Sequence, residues 1–233
     1  MPTVQNIATV HFNTPQLTMA TVASIRKHTP GCRITVFDNS DRLPFPKYPG
    51  VTVIDNTKGQ CIDFGELLAR YPDQKSTDYY QASAKHIASV DYLFDVLTEG
   101  FVLLDSDALV KKDIAALFDP DCAWVGTIER PAEQYKAVRL APYLLWLNVP
   151  VLRRNGIRFW HEGMAYKLSH NGPPYHDTGG SLFYDCTDAR LPARIIDIYE
   201  YIEHLGEGSF RRTETETRRW LDINADLWNR NLI

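Results

Sequence analysis

The chain reads as an α/β protein built on a mostly parallel central sheet flanked by helices. Three observations predict this. The first forty residues alternate strand, helix and strand, with a crossover long enough for a parallel βαβ unit. Phe101–Leu104 is a run without a polar residue, as expected of a central strand covered on both faces. That run ends directly in Asp105-Ser106-Asp107, and open α/β sheets bind ligands at the carboxyl ends of their strands.

Taken in order, Val4–Phe12 is a short run of β-formers and reads as a strand. Thr14 is placed to cap a helix and Pro15 suits its first position. Leu17, Ala20, Thr21, Ser24 and Ile25 keep the helical period until Pro30-Gly31 stops it. Arg33–Phe37 is the second strand and Val51–Ile54 the third, separated by a proline-rich loop over 43–50. Ile62–Arg70 and Ala82–Leu97 carry helical periodicity, and Gly100 precedes the Phe101–Leu104 strand. Ala123–Thr127 reads as a strand. Tyr143–Leu147 fits strand or helix, and Val151–Arg154 fits a helical turn. His161–Tyr175 reads as a long polar loop and Gly180–Tyr184 as a strand. Asp188–His204 mixes a helical turn with strand-like alternation. Thr215–Trp228 reads as an amphipathic helix with Trp220, Ile223 and Leu227 on one side.

Composition narrows the function classes. The 233 residues are 44% hydrophobic and 23% charged, the mix of a globular chain with a substantial core. A net charge of -4 provides no general basic surface for nucleic acid. The four cysteines are widely spaced, without a zinc or redox pair, and read as buried free thiols of a reducing compartment. The N-terminus lacks the basic and apolar regions of a signal peptide. The longest apolar-rich stretch, Leu140–Leu152, is too short to span a bilayer. A cytoplasmic protein is expected. No linker or repeat divides the chain, so one domain over 1–233 is expected.

Chemistry concentrates in a few clusters. Asp105 and Asp107 repel each other unless a cation is shared, although a helix cap or an Asx turn also uses such acids. Asp38, at the end of the second strand in Asp38-Asn39-Ser40-Asp41, suits a polar turn or an acceptor for a base or ribose hydroxyl. Ser83-Ala84-Lys85-His86 offers Lys85 to phosphate charge and His86 as a donor, against solvated and half-buried alternatives. Tyr175-His176-Asp177 precedes Gly179-Gly180, which permits close backbone approach. Asp177 there is either a turn cap or a general base. His204 precedes Gly206-Glu207-Gly208-Ser209, and reads as a core histidine or as an imidazole ligand beside free backbone N–H groups. Ser209, Arg211 and Arg212 lie in and just after that loop. Residues 139–154 suit a core strand with a basic turn, an acceptor wall with Trp146 or Trp160, a dimer surface or a peripheral membrane contact.

Together, the first strand ending His11-Phe12-Asn13, the Val36-Phe37-Asp38-Asn39-Ser40-Asp41 turn and Leu103-Leu104-Asp105-Ser106-Asp107 resemble a GT-A glycosyltransferase, closest to the family 2 enzymes. The sequence departs from that pattern where Asn39 runs into Ser40 without the family's glycine. The resemblance is carried by residues 4–128 and beyond them by short motifs. It implies a single Rossmann-like GT-A domain, with 1–128 as the nucleotide and metal half and 129–233 as the acceptor half and C-terminal helix. It implies Mn²⁺ or Mg²⁺ held by Asp105, Asp107 and His204. Donor contacts would come from His11, Asn13, Asp38, Lys85, His86, Asp105 and Ser209, with Arg211 or Arg212 as a further phosphate contact. Asp177 would be the base of an inverting transfer. The partners implied are a nucleotide-diphosphate sugar, a UDP-sugar foremost, and a glycan or other hydroxyl acceptor. A GT-A-like module that binds nucleotide sugar without turnover is the alternative. A sugar-nucleotide pyrophosphorylase would want a glycine-rich phosphate loop where Phe12-Asn13-Thr14-Pro15 stands. A haloacid-dehalogenase-type phosphatase would place its acid pair on the first strand.

Overall fold

The computed structural model describes residues 5–69, 78–130, 138–159, 177–206 and 212–228, with no side-chain placement for 67–69 and 78–82. Strand β1 (Asn6–His11) leads through helix α1 (Pro15–His28) to β2 (Arg33–Asp38) and β3 (Val51–Asp55). Helices α2 (Phe64–Ala69) and α3 (Asp78–Val96) precede β4 (Phe101–Leu104). Then come β5 (Ala108–Val110), β6 (Trp124–Gly126), β7 (Ile128–Glu129), β8 (Arg139–Leu140) and β9 (Leu144–Leu147). The chain continues through α4 (Val149–Arg154), α5 (Gly180–Asp188), β10 (Ala193–Ile195), β11 (Ile202–His204) and α6 (Glu214–Ile223).

Seven strands form one sheet in the order β10-β6-β9-β4-β1-β2-β3. Every neighbouring pair is parallel except those made by β9, which runs against β4 and β6. This is the mostly parallel α/β architecture that the sequence predicts. Two-residue alternation sorts β4 between two cores. Phe101 and Leu103 pack with Ile87, Val90 and Phe94 of α3, whereas Val102 and Leu104 pack with Val22 and Ile25 of α1. All four β4 side chains are fully buried, so truncating Phe101 to Ala costs about 3–5 kcal/mol. Gly100 starts β4 at φ +103, and a Cβ there would lie 2.6 Å from the Leu147 carbonyl oxygen. Only glycine fits that entry.

Several expectations need correction. Residues 180–184 begin helix α5, not a strand. Thr14 occupies the N-cap of α1 but its hydroxyl makes no cap bond. Helix α6 is instead fixed by a capping box between Thr213 and Glu216. The helix ends at Ile223, short of the expected Trp228, so that Trp228 is buried from beyond it, and Ile223 is 69% exposed. All four cysteines are free, yet only Cys186 is fully buried. Residues 139–154 combine a core strand with an exposed basic turn: β9 is wholly buried, the Trp146 indole donates to the Asp119 carbonyl, and Arg153 and Arg154 are exposed. Trp160 and the 161–175 loop lie outside the described residues. Among the described residues no helix is long and apolar enough to cross a membrane.

Candidate functional site

The carboxyl edge of the sheet brings three predicted ligands together. Past Leu104 the chain turns, with the Ala108 N–H donating to the Asp105 carbonyl (3.1 Å), and continues as β5. Helix α1 fixes that turn. Thr21 donates to the Ser106 carbonyl and Ser24 accepts from the Val110 N–H. Strand β11 pairs antiparallel with β5, setting His204 opposite Ala108, and the Leu205 N–H donates to the Asp107 carbonyl. The His204 side chain therefore crosses above the acids. Its Nε2 lies 3.1 Å from Asp107 Oδ1 and 3.7 Å from Asp105 Oδ2. One ligand atom from each of Asp105, Asp107 and His204 lies within 4.8 Å of the others.

Burial and the neighbouring Asp107 charge push the Asp105 carboxyl up, against the pull of His86, His204 and Arg139. Burial alone would lower the His204 imidazole. The hydrogen bond and charge of Asp107, with Asp105 and Glu129 behind it, outweigh burial and raise it. Metal-free, the cluster thus sets two crowded acids against an imidazole whose hold on a proton they strengthen. Two carboxylates and an imidazole are a fitting donor set for a divalent cation taking oxygen and nitrogen ligands. Lys111 and Lys112 do not neutralise the acids, since they pair with Glu203 and Glu200.

A second ring of polar side chains surrounds the cluster. His86 of α3 sets Nε2 3.6 Å from Asp105 and Nδ1 3.2 Å from the Thr178 hydroxyl. Lys85, the preceding residue, places its ammonium 5.7 Å from the Phe12 ring centroid and 5.5 Å from that of Phe64. Asp177 is buried and ion-paired with Arg139, and it accepts from the Thr178 N–H. Arg139 also donates to Glu129 (2.6 Å) and to the Tyr143 hydroxyl (2.8 Å). Burial works against the Arg139 charge, but the surrounding Asp177, Tyr143 and Glu129 raise its pKa. Gly179 makes this packing possible: at φ +85, a Cβ there would meet the Leu140 carbonyl oxygen at 2.3 Å. Arg139, Glu129 and Tyr143 were not among the predicted site residues. A charged residue beside the apolar Leu140-Ala141 was the available signal, but its partners lie in other elements.

The remaining predicted residues sit elsewhere. Asp38 is 2% exposed, and its carboxylate accepts the Ser40 N–H (2.9 Å) and the Phe45 N–H (2.7 Å). It closes its own turn and presents no free edge. His11 is fully buried between the Thr18 hydroxyl (2.8 Å) and the Leu43 carbonyl (3.0 Å). Burial, partly offset by the Leu43 bond and the Asp38 charge, lowers its pKa. Asn13 adopts φ +54 and ties the same loop, donating to Asp41 and accepting from the N–H groups of Arg42 and Leu43. Ser209 and Arg211 lie outside the described residues.

No protein-family model matches the chain, and no curated protein matches it. Solved structures similar to it include the galactosyltransferase LgtC in complex with donor and acceptor sugar analogs. There the identity is 15% over 64% of this chain and 60% of that one, with a TM-score of 0.47. The glycosyltransferase GlyE of Streptococcus pneumoniae TIGR4 is 14% identical over 85% of this chain and 46% of its own, with a TM-score of 0.49. TarS of S. aureus is 12% identical over 97% of this chain and 40% of its own, with a TM-score of 0.44. The chain therefore spans 60% or less of the length of these three.

Proposed function

We propose that the protein is a metal-dependent glycosyltransferase, moving a sugar from a nucleotide-diphosphate donor to a hydroxyl acceptor. One observation carries the reading: Asp105 and Asp107 of the β4–β5 turn and His204 of β11 converge at the carboxyl edge of the sheet. Mn²⁺ or Mg²⁺ is the proposed occupant, and when bound it offsets charge on a diphosphate leaving group. Lys85 and His86 then face the donor, with Lys85 supplying further positive charge. His11, Asn13 and Asp38 serve the donor side indirectly by fixing the 39–45 loop. A UDP-sugar is the proposed donor and a glycan the proposed acceptor. Nucleotide-sugar chemistry and free thiols suit a cytoplasmic setting.

Asp177 is the proposed base for an inverting transfer. Its pairing with Arg139 occupies one carboxylate oxygen and orients the group. Proton uptake requires the acceptor hydroxyl to compete with Arg139. That same pairing favours the second reading, a module that binds nucleotide sugar without transfer. Incubation with Mn²⁺ and a panel of nucleotide sugars separates the two. Transfer or donor hydrolysis supports the enzyme, and binding without turnover supports the module. Failure to bind any nucleotide with metal present would sink both.

A further inference from the structure

We propose that Tyr143 is a positioning residue of the metal centre, holding the His204 imidazole in register with the two aspartates. The inference rests on reading Asp105, Asp107 and His204 as metal ligands. Its own evidence is the double attachment of Tyr143. The antiparallel ladder between β4 and β9 pairs Leu104 with Leu144. It runs one step further, so that the Asp105 N–H donates to the Tyr143 carbonyl (3.2 Å). The backbone of Tyr143 thus fixes one proposed ligand. Its ring lies against another: the Tyr143 and His204 centroids are 4.2 Å apart with planes at 30°.

That ring is itself locked. Arg139 donates to the Tyr143 hydroxyl (2.8 Å), and the hydroxyl lies 3.2 Å from Glu129 Oε1. Stacking restricts the imidazole plane, and the Asp107 hydrogen bond sets which edge faces the acids. Metal-binding imidazoles are commonly oriented by a hydrogen bond from the second ring nitrogen. No such bond is seen for His204 Nδ1 among the described residues, and the face contact fills that role. Through Arg139 the brace also reaches Asp177, so one side chain couples the metal ligands to the proposed base.

The test is Mn²⁺ affinity of the full chain, measured by calorimetry and by the EPR signal of free Mn²⁺, for wild type, Tyr143→Phe and Tyr143→Leu. Phe keeps the ring and loses the hydroxyl; Leu loses the stack. The inference expects about 10–100-fold weaker binding for Leu, the usual range for outer-shell changes, and recovery of most of it by Phe. Equal affinity of folded Tyr143→Leu and wild type overturns it, as does a Phe variant as weak as Leu. Should Tyr143→Leu fail to fold, the His204 ring protons of wild type decide. An aromatic ring-current shift, assigned against His204→Gln, supports the stack, and its absence overturns it. Wild type that binds no Mn²⁺ removes the metal-centre reading instead, and is told apart by that result alone.

Discussion

The carboxyl ends of β2 and β4 look alike as sequence and differ as structure. Each strand runs into a short segment with two aspartates, Asp38 and Asp41 in one case, Asp105 and Asp107 in the other. At β2 the inner acid is consumed by the turn. Asp38 takes two backbone N–H groups, and Asn39 donates to Ser89 and accepts from Asn56. At β4 the acids face each other and two histidines. An acid surrounded by backbone donors is a building element, whereas one surrounded by other titratable groups is poised to exchange a proton or a cation. The partners, rather than the spacing, separate the two.

The sharpest way to break this contrast is Asp107→Ala. It should weaken divalent-cation affinity by more than about 100-fold, beyond the outer-shell range, while leaving the urea midpoint nearly unchanged because a crowded acid is removed. Unchanged cation affinity would reduce the β4 turn to the status of the β2 turn. Asp38→Ala should do the opposite. Leaving two N–H groups without their carboxylate should cost about 3 kcal/mol in urea unfolding, with cation affinity intact in the folded fraction. Loss of cation affinity without loss of stability would reverse the assignment.

The pH dependence sharpens the comparison further. His204 is raised above its ordinary 6.5 in the folded, metal-free chain. Its stabilising proton is fully present below 6.5 and is lost as pH rises through the folded value. Stability in EDTA should therefore fall across that window, and His204→Gln should flatten the fall. Cation affinity should rise over the same window, since proton and cation compete for the imidazole. A stability profile identical in wild type and variant would contradict the coupling. The smallest effect is expected at Asp41→Ala. Its side chain is 64% exposed, so stability should change by no more than about 0.5 kcal/mol. A larger loss would show the β2 turn to depend on its outer acid as well.

Much of the front half was legible because it repeats one simple pattern. The apolar run of β4, the β1–α1–β2 crossover and the stop at Pro30-Gly31 are local signals, and each is realised. Asp105 and Asp107 were legible for the same reason, lying at the end of a strand of clear type. His204 is 97 residues from Asp107 and was reached through its neighbouring glycines. The misses have physical causes. Ser181-Leu182-Phe183-Tyr184 is too short an apolar run for a period of two to be told from one of 3.6. Gly179 in a left-handed conformation starts a helix there, and its φ is not visible in its identity. The role of Asp38 turned on Phe45, a partner across a proline-rich loop. The Arg139–Glu129–Tyr143–Asp177 group assembles from separate elements, and no spacing announces it.

The reversed direction of β9 has a practical consequence. The mutually parallel strands β4, β1 and β2 deliver their ends to the chemical edge, but β9 delivers its beginning, at Tyr143, and then carries the chain away. The residues directly after Leu147, in α4, belong to the opposite rim. At that rim Asn155-Gly156 closes α4, with Gly156 at φ +70 and open space where a side chain would project. A fluorophore or an affinity tag inserted there would sit a full strand length from the acids. It would give a handle for watching binding without touching the groups that bind.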